Sequence, residues 1–284
     1  MLFRSGFGFG GNKARKLDFL IGDALRGGCD TLLAVGANQS NFCRMVAAYG
    51  SANGLDVHLV LGGPRPADPT GNLRLDLLLG AVCHHVDSAD WDAWEEEAAA
   101  LERDLRARGR DVYRMPVGGS TPVGALGYVA AMSEILDDER RLGVRFDTIV
   151  FASSSAGTQA GLVVGKAMAG WPGQVLGIST AKPRDRQERD VFDLAQATAA
   201  RLGATVDRRD VLVDDSFLGA GYARATGSCD EAVRWFARSH GIFLDHVYTG
   251  KAAAALLDGL RSGRFPPGSR VLFLHTGGNV ELLA

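Results

Sequence analysis

Little in this 284-residue chain points to metals, disulfides or membranes. Its four cysteines (Cys29, Cys43, Cys83, Cys229) show no CxxC pair and no zinc spacing, so they read as reduced thiols in a cytoplasmic protein. The six histidines include no HExxH and no other ligand pair at i,i+4. The adjacent His84 and His85 would face opposite sides of a strand, so no metal site is expected. No apolar run approaches the ~18 residues of a membrane-spanning helix. The opening MLFRSG turns glycine-rich too soon for a signal peptide. A formal net charge of −2 gives no general attraction to nucleic acid or membrane surfaces. Lysine is scarce, at five residues (Lys13, Lys16, Lys166, Lys182, Lys251) against 26 arginines. Chemistry that needs a primary amine therefore has few candidates.

Glycine, by contrast, is plentiful: 37 residues without a Gly-X-Y period, which excludes collagen and points to many tight turns. The hydrophobic content of 46% is that of a folded globular protein. Short apolar runs over 31–35, 57–61, 81–86, 111–116, 148–152, 174–179 and 270–275 read as strands. Helical patterns alternate with them. In the first, Leu17, Leu20, Ile21 and Leu25 share one face that Gly27-Gly28 closes. The others cover 40–53, 90–108, 123–138, 157–170, 188–202, 228–240 and 250–262. Strand–helix alternation predicts an α/β fold with mainly parallel sheets in two lobes, Val117–Pro122 crossing from one to the other. No internal repeat is evident.

Several turns could carry chemistry. Gly6, Gly8 and Gly11 spell GxGxxG, but no strand is read before them, so the dinucleotide pattern lacks its context. Lys13 opens a helix directly after this glycine loop. There the helix dipole and burial favour a neutral, nucleophilic amine, although a solvated surface lysine is the commoner case at such a position. Gln39, Ser40 and Asn41 lie between a strand and a helix. They offer neutral donors to a carboxylate or phenolate oxygen, or else a plain helix cap. Ser153–Thr158 repeats that placement with small residues and hydroxyls, suited to one phosphate group. Tyr222 in a Gly-Ala-Gly-Tyr turn, Tyr248-Thr249 and Thr276 put hydroxyls at element boundaries, where each alone is more often structural. Lys251, one turn inside a helix, is expected to be solvated. A lysine, an anion-binding turn, neutral donors and tyrosines together suit a phosphate-bearing aldehyde cofactor held as a Schiff base.

The blocks GGNKARKLDFLIGDAL, GANQSNFCRMVAA, SSSAGTQAGL, DHVYTGKA and LFLHTGG resemble, in order and over essentially the whole chain, the D-cysteine desulfhydrase and 1-aminocyclopropane-1-carboxylate deaminase family of pyridoxal-phosphate enzymes. The resemblance implies a tryptophan synthase β-like, fold type II architecture: two three-layer α/β/α lobes with the cofactor between them. It implies a small lobe over 15–125 and a large cofactor-binding lobe over 1–14 and 126–284. Lys13 would hold pyridoxal 5′-phosphate as a Schiff base. Gln39, Ser40 and Asn41 would bind the substrate carboxylate, Asn41 also reaching the cofactor. Ser155, Ala156, Gly157 and Thr158 would take the phosphate, Tyr248 would stack near the ring, and Thr249 and Thr276 would lie by it. Lys13, Tyr222 and Tyr248 would be the catalytic set. Family members carry a further segment before GGNK, so the chain is expected to lack an N-terminal strand of the large lobe.

The cyclopropane deaminases of this family have a glutamate after the tyrosine, where this chain has Thr249. A neutral hydroxyl beside the pyridine nitrogen makes the ring a weaker electron sink, which suits β-elimination of a good leaving group. The resemblance therefore implies a lyase converting D-cysteine to pyruvate, sulfide and ammonia. The deaminase and a cysteate sulfo-lyase are the near alternatives. An inactive binding protein missing its first strand is the alternative of another class, and a dinucleotide oxidoreductase the remotest. A small amino-acid substrate, no nucleic acid, no membrane and a homodimer complete the expectation.

Overall fold

The computed structural model describes residues 6–284. The chain divides into two compact units, residues 6–124 with 280–284, and residues 125–279. The division falls within two residues of the Val117–Pro122 segment read as a crossover.

In the first unit, α1 (Lys13–Arg26), β1 (Thr31–Ala37), α2 (Asn41–Asn53), β2 (Asp56–Gly62), α3 (Gly71–Leu78), β3 (Val82–Val86), α4 (Trp91–Ala107) and β4 (Val112–Met115) follow in turn. The four strands form one parallel sheet in the order β3-β2-β1-β4. β1 is apolar at nearly every position because helices cover both faces of the sheet. Its Leu32 and Ala34 join a core with α1 and α2, and its Leu33 and Val35 join a second core under α4. Gly62 closes β2 where the Trp94 indole needs its space: a Cβ there would come within 1.8 Å of the ring.

The second unit runs from α5 (Pro122–Leu142), whose first turn starts in the first unit, through β5 (Thr148–Ser153), α6 (Gly157–Ala169), β6 (Gln174–Ser179), α7 (Arg184–Ala200), β7 (Leu212–Asp214), α8 (Gly227–His240) and α9 (Thr249–Arg261) to β8 (Val271–Phe273). Its parallel sheet has the order β7-β6-β5-β8. Val150, Ala152, Leu176 and Ile178 pack against α8 and the alanine-rich α9. Both sheets thus start from an inner strand, wind two strands to one side, and add the last on the other. In such sheets ligands bind beyond the carboxyl ends of the strands where the winding reverses, here β1 and β5.

Two elements escaped the sequence patterns, α3 and β7, and α7 starts four residues before the expected position, after Pro183. Among the described residues no helix is long and apolar enough to cross a membrane, and no cluster of three or more His, Cys, Asp and Glu could hold a metal. His84 and His85 do separate: one bonds His58, the other Asn38.

Candidate active site

In the first unit, the loop before Lys13 is built by glycine. Gly8, Phe9, Gly10 and Gly11 have φ of 52°, 64°, 65° and 101° in succession, a left-handed run open to few residues but glycine. It delivers Lys13 as the first residue of α1, where its Nζ donates to Asn12 Oδ1 at 3.1 Å. One turn on, Lys16 is buried and donates to Gly118 O at 3.0 Å. Burial, with the neighbouring Lys13 charge second, holds its amine well below the ordinary lysine range.

The Gln39–Asn41 turn follows β1, the reversal strand. Ser40 caps α2, its Oγ accepting Cys43 N–H at 3.2 Å. Gln39 and Asn41 are held by a residue that the sequence reading did not single out. Asn72, fully buried at the start of α3, donates through Nδ2 to Gln39 O and Asn41 Oδ1 at 2.9 and 3.1 Å. Its backbone N–H donates to Gln39 Oε1 at 2.8 Å. Arg44 completes the arrangement. Its guanidinium donates to Asn72 Oδ1, to Asn41 Oδ1 and to Gly10 O at 3.0, 3.3 and 3.1 Å. One buried cation therefore joins the glycine loop behind Lys13 to the Gln39–Asn41 turn. Beside it Asp76 is buried with both carboxylate oxygens lacking hydrogen-bond partners among the described residues. Burial pushes its pKa up to about 8 against the opposing pull of Arg44.

In the second unit, Ser153–Thr158 runs from the end of β5, the other reversal strand, into α6. Ala156 has φ 70° and no side chain caps α6, whose first turn carries no acid. Beneath the turn, Ser153 Oγ donates to Gln159 Oε1 at 2.7 Å and accepts from Gln187 Nε2 at 2.9 Å. A 13-residue helix opening uncapped among hydroxyls and small residues suits a phosphate by charge and by donor type. Thr158 is buried at that opening, whereas Ser154 and Ser155 are partly exposed.

The start of α9 is organised around Asp245. Its buried carboxylate accepts the N–H groups of Val247, Tyr248 and Thr249 at 2.9, 2.7 and 2.8 Å, and the Thr249 hydroxyl at 2.5 Å. Thr249 Oγ1 is thus committed to Asp245, and it accepts the Asp245 N–H in return. Gly278 lies against the same carboxylate, where a Cβ would fall 2.5 Å from it. The turn after Thr276 is thereby packed closely against Asp245 at the start of α9. The Tyr222 and Tyr248 hydroxyls meet at 2.5 Å. Lys251, expected in solvent, is instead fully buried, because α9 is covered along Thr249–Leu257.

The structure thus brings Lys13, Gln39, Ser40 and Asn41 into one unit through Arg44 and Asn72. It places Ser155–Thr158, Tyr222, Tyr248, Thr249 and Thr276 in the other. Asn72 and Asp245 were the main omissions. A polar residue at the head of an unread short helix gave no periodic signal, while Asp245 stood inside a quoted motif with no role attached to it.

Residues 6–277 match the family of pyridoxal-phosphate dependent enzymes. The chain is 39% identical over 287 residues to a 1-aminocyclopropane-1-carboxylate deaminase from Ralstonia pickettii, covering 96% of this chain and 83% of that protein. Its fold matches the crystal structure of a homologue of that deaminase with a TM-score of 0.91 at 36% identity, over 98% of this chain and 83% of the other. A hydrogen sulfide-producing enzyme of Fusobacterium nucleatum shares the fold alone, with a TM-score of 0.65 at 14% identity over 94% of this chain and 85% of the other. The fold is of the tryptophan synthase β type, with two parallel four-stranded sheets and flanking helices, and pyridoxal phosphate is the family's cofactor. The chain belongs to the 1-aminocyclopropane-1-carboxylate deaminase and D-cysteine desulfhydrase family of pyridoxal-phosphate dependent enzymes.

Proposed function

We propose that the protein is a lyase that eliminates sulfide from D-cysteine, giving with one water pyruvate, hydrogen sulfide and ammonia. The observation that carries this reading is Thr249. The family's deaminases place a glutamate after the tyrosine, whereas this chain has a hydroxyl there, already bound to Asp245 Oδ1 at 2.5 Å. A pyridine nitrogen without a carboxylate partner favours a reaction in which a good leaving group departs.

When bound, pyridoxal phosphate supplies the electron sink that makes the substrate Cα–H acidic. In this reading the Lys13 amine holds the cofactor and then takes the proton from Cα as general base. Ser155, Ala156, Gly157 and Thr158 hold its phosphate, with Thr276 beside its ring. Gln39, Ser40 and Asn41 bind the substrate carboxylate through neutral donors, with Asn41 itself held by the Arg44 guanidinium. The Tyr222–Tyr248 pair orients the substrate and delivers a proton to the departing sulfur. We read the active form as a homodimer, on the prevalence of two-fold assembly.

A second reading, deamination of 1-aminocyclopropane-1-carboxylate to 2-oxobutyrate and ammonia, is favoured by the 39% identity to the Ralstonia pickettii protein. Product analysis with each substrate in turn separates them. Sulfide and pyruvate from D-cysteine, with no 2-oxobutyrate from the cyclopropane amino acid, are expected. Rapid release of 2-oxobutyrate would replace the proposal with the second reading, and sulfite from cysteate would replace the leaving group.

A further inference from the structure

The turn that carries Tyr222 has little of its own to hold it. Gly219 and Gly221 have φ of 66° and 130°, Gly219, Ala220 and Ala223–Ala225 are exposed, and no strand or helix includes them. A glycine-rich backbone of this kind samples many conformations. Yet it sets the Tyr222 hydroxyl 2.5 Å from that of Tyr248.

The restraint comes from inside. Lys251 stands on the first turn of α9, three residues beyond Tyr248. Its Nζ donates to Leu218 O at 2.8 Å and to Gly221 O at 3.0 Å. These carbonyls bracket Gly219 and Ala220, directly before Tyr222. The side chain is fully buried, and an ammonium is costly there unless its protons are bonded. Burial holds its pKa below that of an ordinary lysine. Tyr248 is fixed from the same helix end, since Asp245 accepts its backbone N–H. We propose that Lys251 is a positioning residue that clamps the Leu218–Gly221 turn and so aligns the Tyr222 phenol on Tyr248 for the reaction.

This inference rests on the proposed role of the tyrosine pair, and its test separates the two. Hydrogen exchange of residues 216–226 is measured in the holoenzyme for wild type and Lys251→Met, with kcat and KM for Lys251→Met, Tyr222→Phe and the double variant. Faster exchange confined to that segment is expected, with the visible cofactor band retained. A fall in kcat of about tenfold or more from misalignment is expected, with little change in KM and no further loss when Tyr222→Phe is added. Unchanged exchange, or losses that multiply in the double variant, would overturn the clamp. Full turnover by Tyr222→Phe would refute the tyrosine's catalytic role and with it the purpose of the clamp, while exchange would still report whether Lys251 holds the turn. If Lys251→Met does not fold, Gly221→Ala displaces the same carbonyl from the other side, since its Cβ meets nothing within 4 Å but its φ of 130° is strained for alanine. The same exchange and the same non-additivity are then expected.

Discussion

The hydroxyls of Tyr222 and Tyr248, 26 residues apart in sequence, lie 2.5 Å from each other, with their rings edge to face at a centroid distance of 6.0 Å. One hydroxyl must donate and the other accept, so the two phenols form a unit through which a proton can be handed on. Single Phe substitutions are expected to lower kcat by about 10²-fold or more at the phenol that moves a proton. The double variant should be no worse than the poorer single. Steady-state kinetics of the three variants measures both points, and additive losses would mean that the phenols act independently.

Asn72 joins Gln39, Asn41 and Arg44. Asn72→Ala leaves a buried guanidinium and an amide short of partners, a loss of about 1–3 kcal/mol for each buried polar group stranded. It also loosens the turn proposed to hold the substrate carboxylate. A lower urea midpoint at constant m and a raised KM are expected. A raised KM without loss of stability would show that Asn72 acts on the turn alone.

Asp76 gives stability a pH dependence of definite sign. Its carboxyl titrates at about 8 in the fold against 3.8 in the ordinary state. Across that window the folded chain keeps a proton that the unfolded chain has lost. The contribution is therefore fully present below about pH 4, declines as pH rises, and is gone above about pH 8. Asp76→Asn should gain on wild type over this range by on the order of a few kcal/mol. Urea denaturation of both proteins at pH 6 and pH 9 measures it; parallel curves would assign Asp76 an ordinary pKa.

Gly161 on α6 faces α5 so closely that a Cβ would lie 2.3 Å from Ala125 O and 2.5 Å from Tyr128 Cβ. Backbone cannot swing aside as a side-chain tip can. Gly161→Ala should cost about 1–3 kcal/mol through overpacking, despite alanine's better helix propensity. Thermal unfolding checks this, and a rise in Tm would show that the helices separate freely.

The architecture was legible because strand and helix periods alternate along most of the chain, and seven of the eight described strands were read from apolar runs. β7 is only three residues long, too short for any pattern. α3 was hidden for a different reason: its buried residues are Asn72, Leu73 and Asp76, so its inward face is largely polar and the hydrophobic period is absent. The same inversion misplaced Lys251, where a charged residue on a helix buried along Thr249–Leu257 reads as a surface position. That the two sheets share one strand order, with no internal repeat evident in sequence, reflects a fold set by hydrophobic pattern rather than residue identity. Candidate site residues in motifs stood out because glycine loops and helix openings announce themselves. Their supports, Arg44, Asn72, Asp245 and Lys251, were not, because a buried polar partner is defined by what surrounds it.

The most direct test of the account is the visible absorption spectrum of the purified chain with pyridoxal phosphate, beside Lys13→Ala. A yellow Schiff-base band in the wild type and none in the variant is expected, because the glycine loop and Arg44 present Lys13 at the head of α1. An equal band in both proteins would show that another amine holds the cofactor, with the buried Lys16 the first to examine, and would contradict the assignment of Lys13.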